Sequence, residues 1–223
     1  MTMPAPLVLY GNDVWTSPYV LSCFIALREK AIPFEVKTLA LHRGEQREET
    51  FVRTSLTARV PLVVDGDFAL SESSAIVEYL EDAYPAPAYP RVLPAEVRTR
   101  ARARQIMAWV RSDLMPIREE RSAEYVFYDH RDLAPFASLS DAGRRAADKL
   151  LAAADHLVPA DGSPLFGAWC IADTDLAMML QRLVKTGWPV PDHVRTFVEA
   201  QWARPSVQAF VTQPRPPFAR AVL

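Results

Sequence analysis

Three short stretches carry the side chains best suited to chemistry. The first, Asp13-Val-Trp-Thr16-Ser17-Pro18-Tyr19, lies between an apolar run and a helical pattern. It places hydroxyls at a helix N-terminus, where amides and the helix dipole favour a negatively charged ligand atom. A hydroxyl placed there can donate to a thiolate. A thiol with a pKa of about 8.5 is mostly protonated at pH 7. One or two such donors together with the dipole shift it by about one to two units, each worth about 1.4 kcal/mol. Taken alone, Ser17-Pro18 reads more simply as a cap followed by proline at the first helical position.

The second stretch is Arg59-Val60-Pro61-Leu62, a valine before a proline that opens a strand and interrupts its hydrogen-bond ladder. If the Val60–Pro61 bond is cis, the Val60 N–H and C=O face outward and can pair with an extended peptide as an added strand. If it is trans, as most such bonds are, the stretch is an ordinary strand start. The third is Leu70-Ser-Glu72-Ser73-Ser74, which sets a carboxylate and hydroxyls where a strand gives way to a helix. Free amides there suit a ligand carboxylate, with Glu72 meeting an ammonium group. The plain alternative is a helix cap, and Ser73 caps the helix on either reading.

The elements that must position these residues follow from local pattern. Leu7-Val-Leu-Tyr10 reads as a buried strand, Ser17 to Lys30 as a helix, and Phe34 to Thr38 as an alternating strand. Gly44 to Val52 reads as a polar, weakly amphipathic helix. Leu62–Asp65 and Phe68–Leu70 flank Gly66 as a hairpin, and Ser73 to Ala83 is an amphipathic helix, so the order is βαβαββα. Four prolines in residues 85–95 make an extended connector. Beyond it the patterns are helical only: Glu96 to about Glu124, Ser140 to Leu157, Ile171 to Thr186 and Pro191 to Gln201. The expected domains are therefore residues 1–84, a linker at 85–95, and a helical domain at 96–223.

Bulk properties exclude several classes. Half of the 223 residues are hydrophobic, enough for a large domain or two modest ones. No apolar run approaches the roughly 20 residues that span a bilayer, and the Met1-Thr-Met-Pro-Ala-Pro start lacks the marks of a signal peptide, so a cytoplasmic location with no membrane partner is expected. Cys23 and Cys170 are too few for a disulfide framework. The histidines at 42, 130, 156 and 193 have no metal-ligand spacing, and no metal is expected. A net charge of −2 gives no overall pull toward nucleic acid.

In this order, within a βαβαββα unit followed by a helical domain, the three stretches resemble the cytosolic glutathione S-transferase family of bacterial type, with serine at the activating position. The resemblance covers essentially the whole chain. Arg59-Val60-Pro61-Leu62 looks like the family's valine and cis-proline loop, and Glu72-Ser73-Ser74-Ala75-Ile76 like its γ-glutamyl site. It implies an α/β thioredoxin-like N-terminal domain plus an all-α C-terminal helical bundle domain, with glutathione as cosubstrate. By the same resemblance Val60 pairs with the cysteinyl backbone of glutathione and Glu72 and Ser73 hold its γ-glutamyl end. Arg59 flanks the glycyl end, Ser17 activates the thiol, and Thr16 is the second candidate donor.

The implied activity is attack of the thiolate on a small hydrophobic electrophile or peroxide, as in detoxification, by a homodimer. A glutathione-dependent isomerase or lyase is an alternative, as is a non-catalytic binding protein resembling the stringent starvation proteins. Cys170-Ile-Ala-Asp173 is similar to the capping box that opens the family's buried core helix, with Cys170 where Ser or Thr is usual and Asp173 structural. Ser55-Leu56-Thr57-Ala58 departs from the Asn-Pro-x-Gly common in the family.

In the long pattern from Glu96, the residues Ile106, Trp109, Val110, Asp113 and Ile117 share one face, and Arg100, Arg104, Arg111 and Arg118 another. Trp109 and Asp113 are the candidates for the second-substrate pocket. Asp113, a carboxylate on an apolar stripe, either faces a cleft or pairs with a buried arginine. The arginines read as a solvated face with Glu119 and Glu120, not as a nucleic-acid surface.

Overall fold

The computed structural model describes residues 6–218 except 130, 132 and 134. The Met1 to Ala5 start and His130 lie outside the described residues. The chain forms two units: one runs to Val92 and takes in the chain again from Ala209, and the other is Leu93–Gln208. The division thus falls inside the proline-rich connector. Residues 209–218 belong with the first unit, whereas the sequence pattern assigns everything from 96 onward to the helical part.

In the first unit, β1 (Leu7–Asn12), α1 (Pro18–Glu29) and β2 (Phe34–Leu39) are followed by 3₁₀ turns at Leu41–Arg43 and Glu45–Arg47 and by α2 (Glu49–Thr54). Then come β3 (Leu62–Asp65), β4 (Phe68–Ser71) and α3 (Ser73–Ala83). The expected Gly44 to Val52 helix is broken because Gly44 adopts a left-handed φ of 80° and Glu48 is extended. The sheet order is β2-β1-β3-β4, with β1 parallel to β2 and antiparallel to β3, and β3 antiparallel to β4.

Helix α1 is buried at every position from Val20 to Leu27 and packs against β1 and α3. Gly11 permits this closeness, since a Cβ there would meet Val20 Cγ1 at 2.9 Å. The far end of α1 is fixed by charge. Lys30, fully buried, donates to Glu81 Oε1 at 2.9 Å and to the Pro90 carbonyl at 3.0 Å, and Glu81 Oε1 also accepts the Val92 amide at 2.7 Å. One ion pair therefore ties α1, α3 and the connector together.

The second unit contains α4 (Val97–Ser112), α5 (Met115–Glu120), α6 (Glu124–Phe127), α7 (Asp141–Leu157), α8 (Ile171–Lys185) and α9 (Asp192–Trp202). A further helix, α10 (Pro205–Val211), starts there and ends in the first unit. Helix α8 is the hub, buried at every position from Ile171 to Leu183, with α4, α6, α7 and α9 packed on it. Its N-terminus is closed by the capping box expected from sequence: Asp173 accepts the amides of Cys170 and Leu165, each at 2.8 Å. Burial pushes the Cys170 thiol up, and Asp173 adds to the shift. Among the described residues, no helix is long and apolar enough to cross a membrane.

The single helix expected from Glu96 to about Glu124 is two, α4 and α5, with α6 only beginning at Glu124. Leu114 takes a left-handed φ of 62°, its amide is held by Asp113 Oδ1 at 2.7 Å, and Pro116 starts α5 rather than continuing α4. The expected solvated arginine face also divides. Arg104 is exposed, but Arg111 turns inward to Asp175 Oδ2 at 2.8 Å, and Arg118 donates to the Arg111 carbonyl at 2.8 Å. Glu120 caps α7 through Ser140 instead of joining the arginines.

Candidate active site

Strand register brings the three stretches to one end of the sheet. Tyr10, near the end of β1, pairs with Leu62, which opens β3, and Leu62 pairs with Ser71, which closes β4. The loop with Thr16 and Ser17 leaves β1 at that end, Val60-Pro61 enters β3 there, and Glu72 leaves β4 there. Loops at such strand ends are where open sheets with covering helices receive ligands.

The first loop is organised by Asn12, which sequence reasoning passed over. Its carbonyl accepts the Trp15 amide at 3.1 Å, its Nδ2 donates to Thr16 Oγ1 at 3.1 Å, and its Oδ1 accepts the Ser17 amide at 3.3 Å. The Gly-Asn-Asp turn was the available signal, since asparagine bonds its own following backbone. Trp15 sits at a left-handed φ of 51°, packed edge-on against Phe24 and Phe210. Thr16 is buried and Ser17 half-buried. Ser17 caps α1 in the expected way, its Oγ accepting the Val20 amide at 3.3 Å. As an acceptor in that bond the hydroxyl keeps its proton for a ligand, and no acceptor for it occurs among the described residues.

The Val60–Pro61 bond, left open by the sequence, is cis. Val60 stands just outside the ladder, whose pairing begins at Leu62. Arg59 is exposed and makes no ion pair or hydrogen bond among the described residues. Glu72 is also exposed and without such a partner, and it holds a φ of 71°, which a non-glycine residue adopts at a cost of about 1–3 kcal/mol. Ser73 is not the cap expected from sequence: Glu72 holds that position without a side-chain cap bond, and Ser73 is the buried first residue of α3, where its carbonyl accepts from Cys23 Sγ. The loop ahead of Arg59 is anchored by a hydrogen bond of 3.1 Å between the Ser55 and Ser71 hydroxyls. Gln46 Oε1 and Thr57 Oγ1 are buried without a partner. The sheet end thus presents a cation, an anion and a hydroxyl around the half-buried Val60 that precedes β3.

Trp109 and Asp113 lie in the helical unit. Asp113 ends α4 and accepts three donors: the Trp109 indole at 3.0 Å, the Leu114 amide at 2.7 Å, and Lys149 Nζ of α7. Its partner is a lysine rather than the buried arginine considered from sequence. The Lys149 ammonium, then the Leu114 amide and the Trp109 indole, pull the Asp113 carboxyl from 3.8 to about 2. A folded-state value below the unfolded one contributes stability that is present above pH 3.8 and is lost as pH falls toward 2. Replacing Lys149 with methionine is expected to lower the melting temperature at neutral pH, with the difference from wild type narrowing through that acid window. Parallel melting curves at every pH would refute the assignment. Among the described residues, no group of three His, Cys, Asp or Glu side chains is placed to hold a metal ion.

Residues 16–83 match the family model for the glutathione S-transferase N-terminal domain, and residues 96–214 that for the glutathione S-transferase C-terminal domain. A solved glutathione transferase homolog from Burkholderia gl BGR1, with bound glutathione, is 46% identical and superposes with a TM-score of 0.78, covering 94% of this chain and 98% of that one. The probable maleylacetoacetate isomerase of Vibrio cholerae is 33% identical over 122 residues, 54% of either chain. Mouse glutathione S-transferase theta-3 is 37% identical over 86 residues, 39% of this chain and 35% of its own. The chain thus spans about half the length of the first of these curated relatives and about a third of the second.

Proposed function

The chain belongs to the glutathione S-transferase family, and from that premise we propose that it binds glutathione at the sheet end carrying Ser17, Val60 and Glu72 and activates the thiol for reaction. The observation that carries this reading is the convergence of three unpaired groups there. They are the Ser17 hydroxyl proton at a helix N-terminus, the Glu72 carboxylate and the Arg59 guanidinium. A γ-glutamyl ammonium suits Glu72, with Ser73 at the head of α3 beside its carboxylate. The cysteinyl backbone suits Val60 ahead of Pro61, and the glycyl carboxylate suits Arg59. Thr57 Oγ1 and Gln46 Oε1 offer further hydrogen-bonding capacity.

With its proton lost, the sulfur accepts a hydrogen bond from Ser17 and lies along the α1 dipole, both of which favour the anion. Thr16 is the second candidate. The thiolate then forms a bond to an electrophilic carbon, or to a peroxide oxygen, and the leaving group departs with the electron pair. Trp109 is proposed for the second-substrate site, its indole oriented by Asp113. The proposed working form is a cytoplasmic homodimer. A glutathione-dependent isomerase, in which the same thiolate adds and later leaves, is a second reading favoured by the match to the Vibrio isomerase.

Calorimetric titration with glutathione, with ultraviolet detection of bound thiolate across pH, tests the proposal. Saturable binding and a thiol pKa about one to two units below the free value are expected. No binding at millimolar glutathione would overturn it in favour of a non-catalytic binding protein of the same fold.

A further inference from the structure

The C-terminal segment returns to the loop that carries Ser17. After α10 the chain turns at Gln213, whose amide donates to the Phe210 carbonyl at 3.2 Å, and presents Arg215. Arg215 Nη1 donates to the Val211 carbonyl at 2.6 Å and the Gln213 carbonyl at 3.1 Å. Its Nη2 donates to the Phe210 carbonyl at 3.3 Å and, across 200 residues of chain, to the Trp15 carbonyl at 3.0 Å. The planar guanidinium thus closes the end of α10, where helical carbonyls lack partners, and grips the catalytic loop with the same group.

The grip falls at a sensitive point. The Trp15 carbonyl belongs to the peptide unit whose N–H is that of Thr16, so its orientation sets the backbone leading to Ser17. Trp15 holds a left-handed φ, which persists only where surroundings over-determine it. Asn12 restrains that turn from within, the Phe24 and Phe210 rings hold the indole, and Arg215 holds the carbonyl.

We propose that Arg215 is a positioning residue for thiol activation: by clamping the Trp15 carbonyl to the end of α10 it holds the Ser17 hydroxyl in its donating geometry. This rests on the reading of Ser17 given above. It acts through the loop and touches no substrate. Its loss therefore removes alignment in the transition state more than ground-state affinity, and small misplacements there cost up to about 100-fold in rate.

The test compares Arg215→Gln and Arg215→Lys with wild type, using Arg28→Gln, an exposed arginine at the other end of α1, as a control for charge loss. In the free protein, exchange of the Thr16 and Ser17 amides is expected to quicken at least about tenfold in Arg215→Gln. With glutathione, kcat is expected to fall about tenfold while KM for glutathione stays within about twofold, and the pH midpoint of kcat/KM to rise. Arg215→Lys, which keeps a donor in reach of the carbonyls, recovers part of each, and its result stands if the glutamine variant fails to fold. Asp13 and His42, the titratable groups beside the loop, are unaltered in both variants. Unchanged exchange, kcat and pH midpoint in Arg215→Gln would overturn the proposal. If wild type does not bind glutathione, the functional reading fails, and amide exchange alone then decides whether Arg215 holds the turn.

Discussion

Ser17→Ala is expected to lower kcat/KM about 8- to 25-fold at neutral pH while leaving the affinity for glutathione within a fewfold range. The reasoning is quantitative. If the Ser17 donor accounts for most of a one- to two-unit shift, its removal returns the thiol toward a pKa of about 8.5 and cuts the thiolate fraction at pH 7 by about 8- to 25-fold. Affinity is spared because Val60, Arg59, Glu72 and Ser73 are proposed to carry it. The variant also loses the cap bond to Val20, worth about 1 kcal/mol, so a modest drop in melting temperature accompanies the kinetic effect without explaining it. The decisive measurement is the ultraviolet titration of bound glutathione beside steady-state kinetics. A thiol pKa in Ser17→Ala equal to that of wild type would pass the role to Thr16. Thr16 starts at a disadvantage because it is buried, although its Oγ1, like that of Ser17, accepts a bond and keeps its proton.

The largest expected loss of stability comes from a residue remote from the chemistry. Lys30→Met leaves Glu81, with a side chain 7% exposed, as a buried carboxylate without its close cation, and Arg91 is 3.9 Å away from its other oxygen. Breaking such a pair from one side costs about 3–5 kcal/mol. The expected result of denaturant unfolding is therefore a fall of that size. Lys30→Met combined with Glu81→Leu is expected to restore part of it, because a matched apolar pair avoids desolvating either charge. Restoration is incomplete, since the Val92 amide and the Pro90 carbonyl lose their partners. A single variant as stable as wild type would mean that the pair contributes nothing to holding α1, α3 and the connector.

Local signals account for what could be read without coordinates. Ser17-Pro18 marked the start of α1, Gly66 the β3–β4 turn, and Cys170-Ile-Ala-Asp173 the start of α8; caps and turns are written in a few adjacent residues, so these survive into the fold. Other signals were present but outweighed. Pro116 stood inside an apolar repeat strong enough to read as one helix, yet a proline lacking an N–H, together with the Asp113 carboxylate holding the Leu114 amide, breaks it. Asn12 carries no reading from its neighbours alone, and its three bonds to the loop emerge only once β1 and α1 are set against each other.

The residue types and their order along the chain were determined by the sequence alone: a hydroxyl at a helix start, a valine before a proline at a strand start, a carboxylate at a strand end, and a helical half beyond the prolines. Tertiary structure decided what meets what. The β2-β1-β3-β4 order brings Ser17, Val60 and Glu72 to one sheet end although 55 positions separate the first from the last, the burial of Lys30 depends on Glu81 and Pro90, and the Trp15 turn depends on Arg215. The physical reason is range. Caps and turns are settled by hydrogen bonds within one turn of chain, whereas register, burial and long-range clamps are settled by the packing of elements that no local pattern pairs.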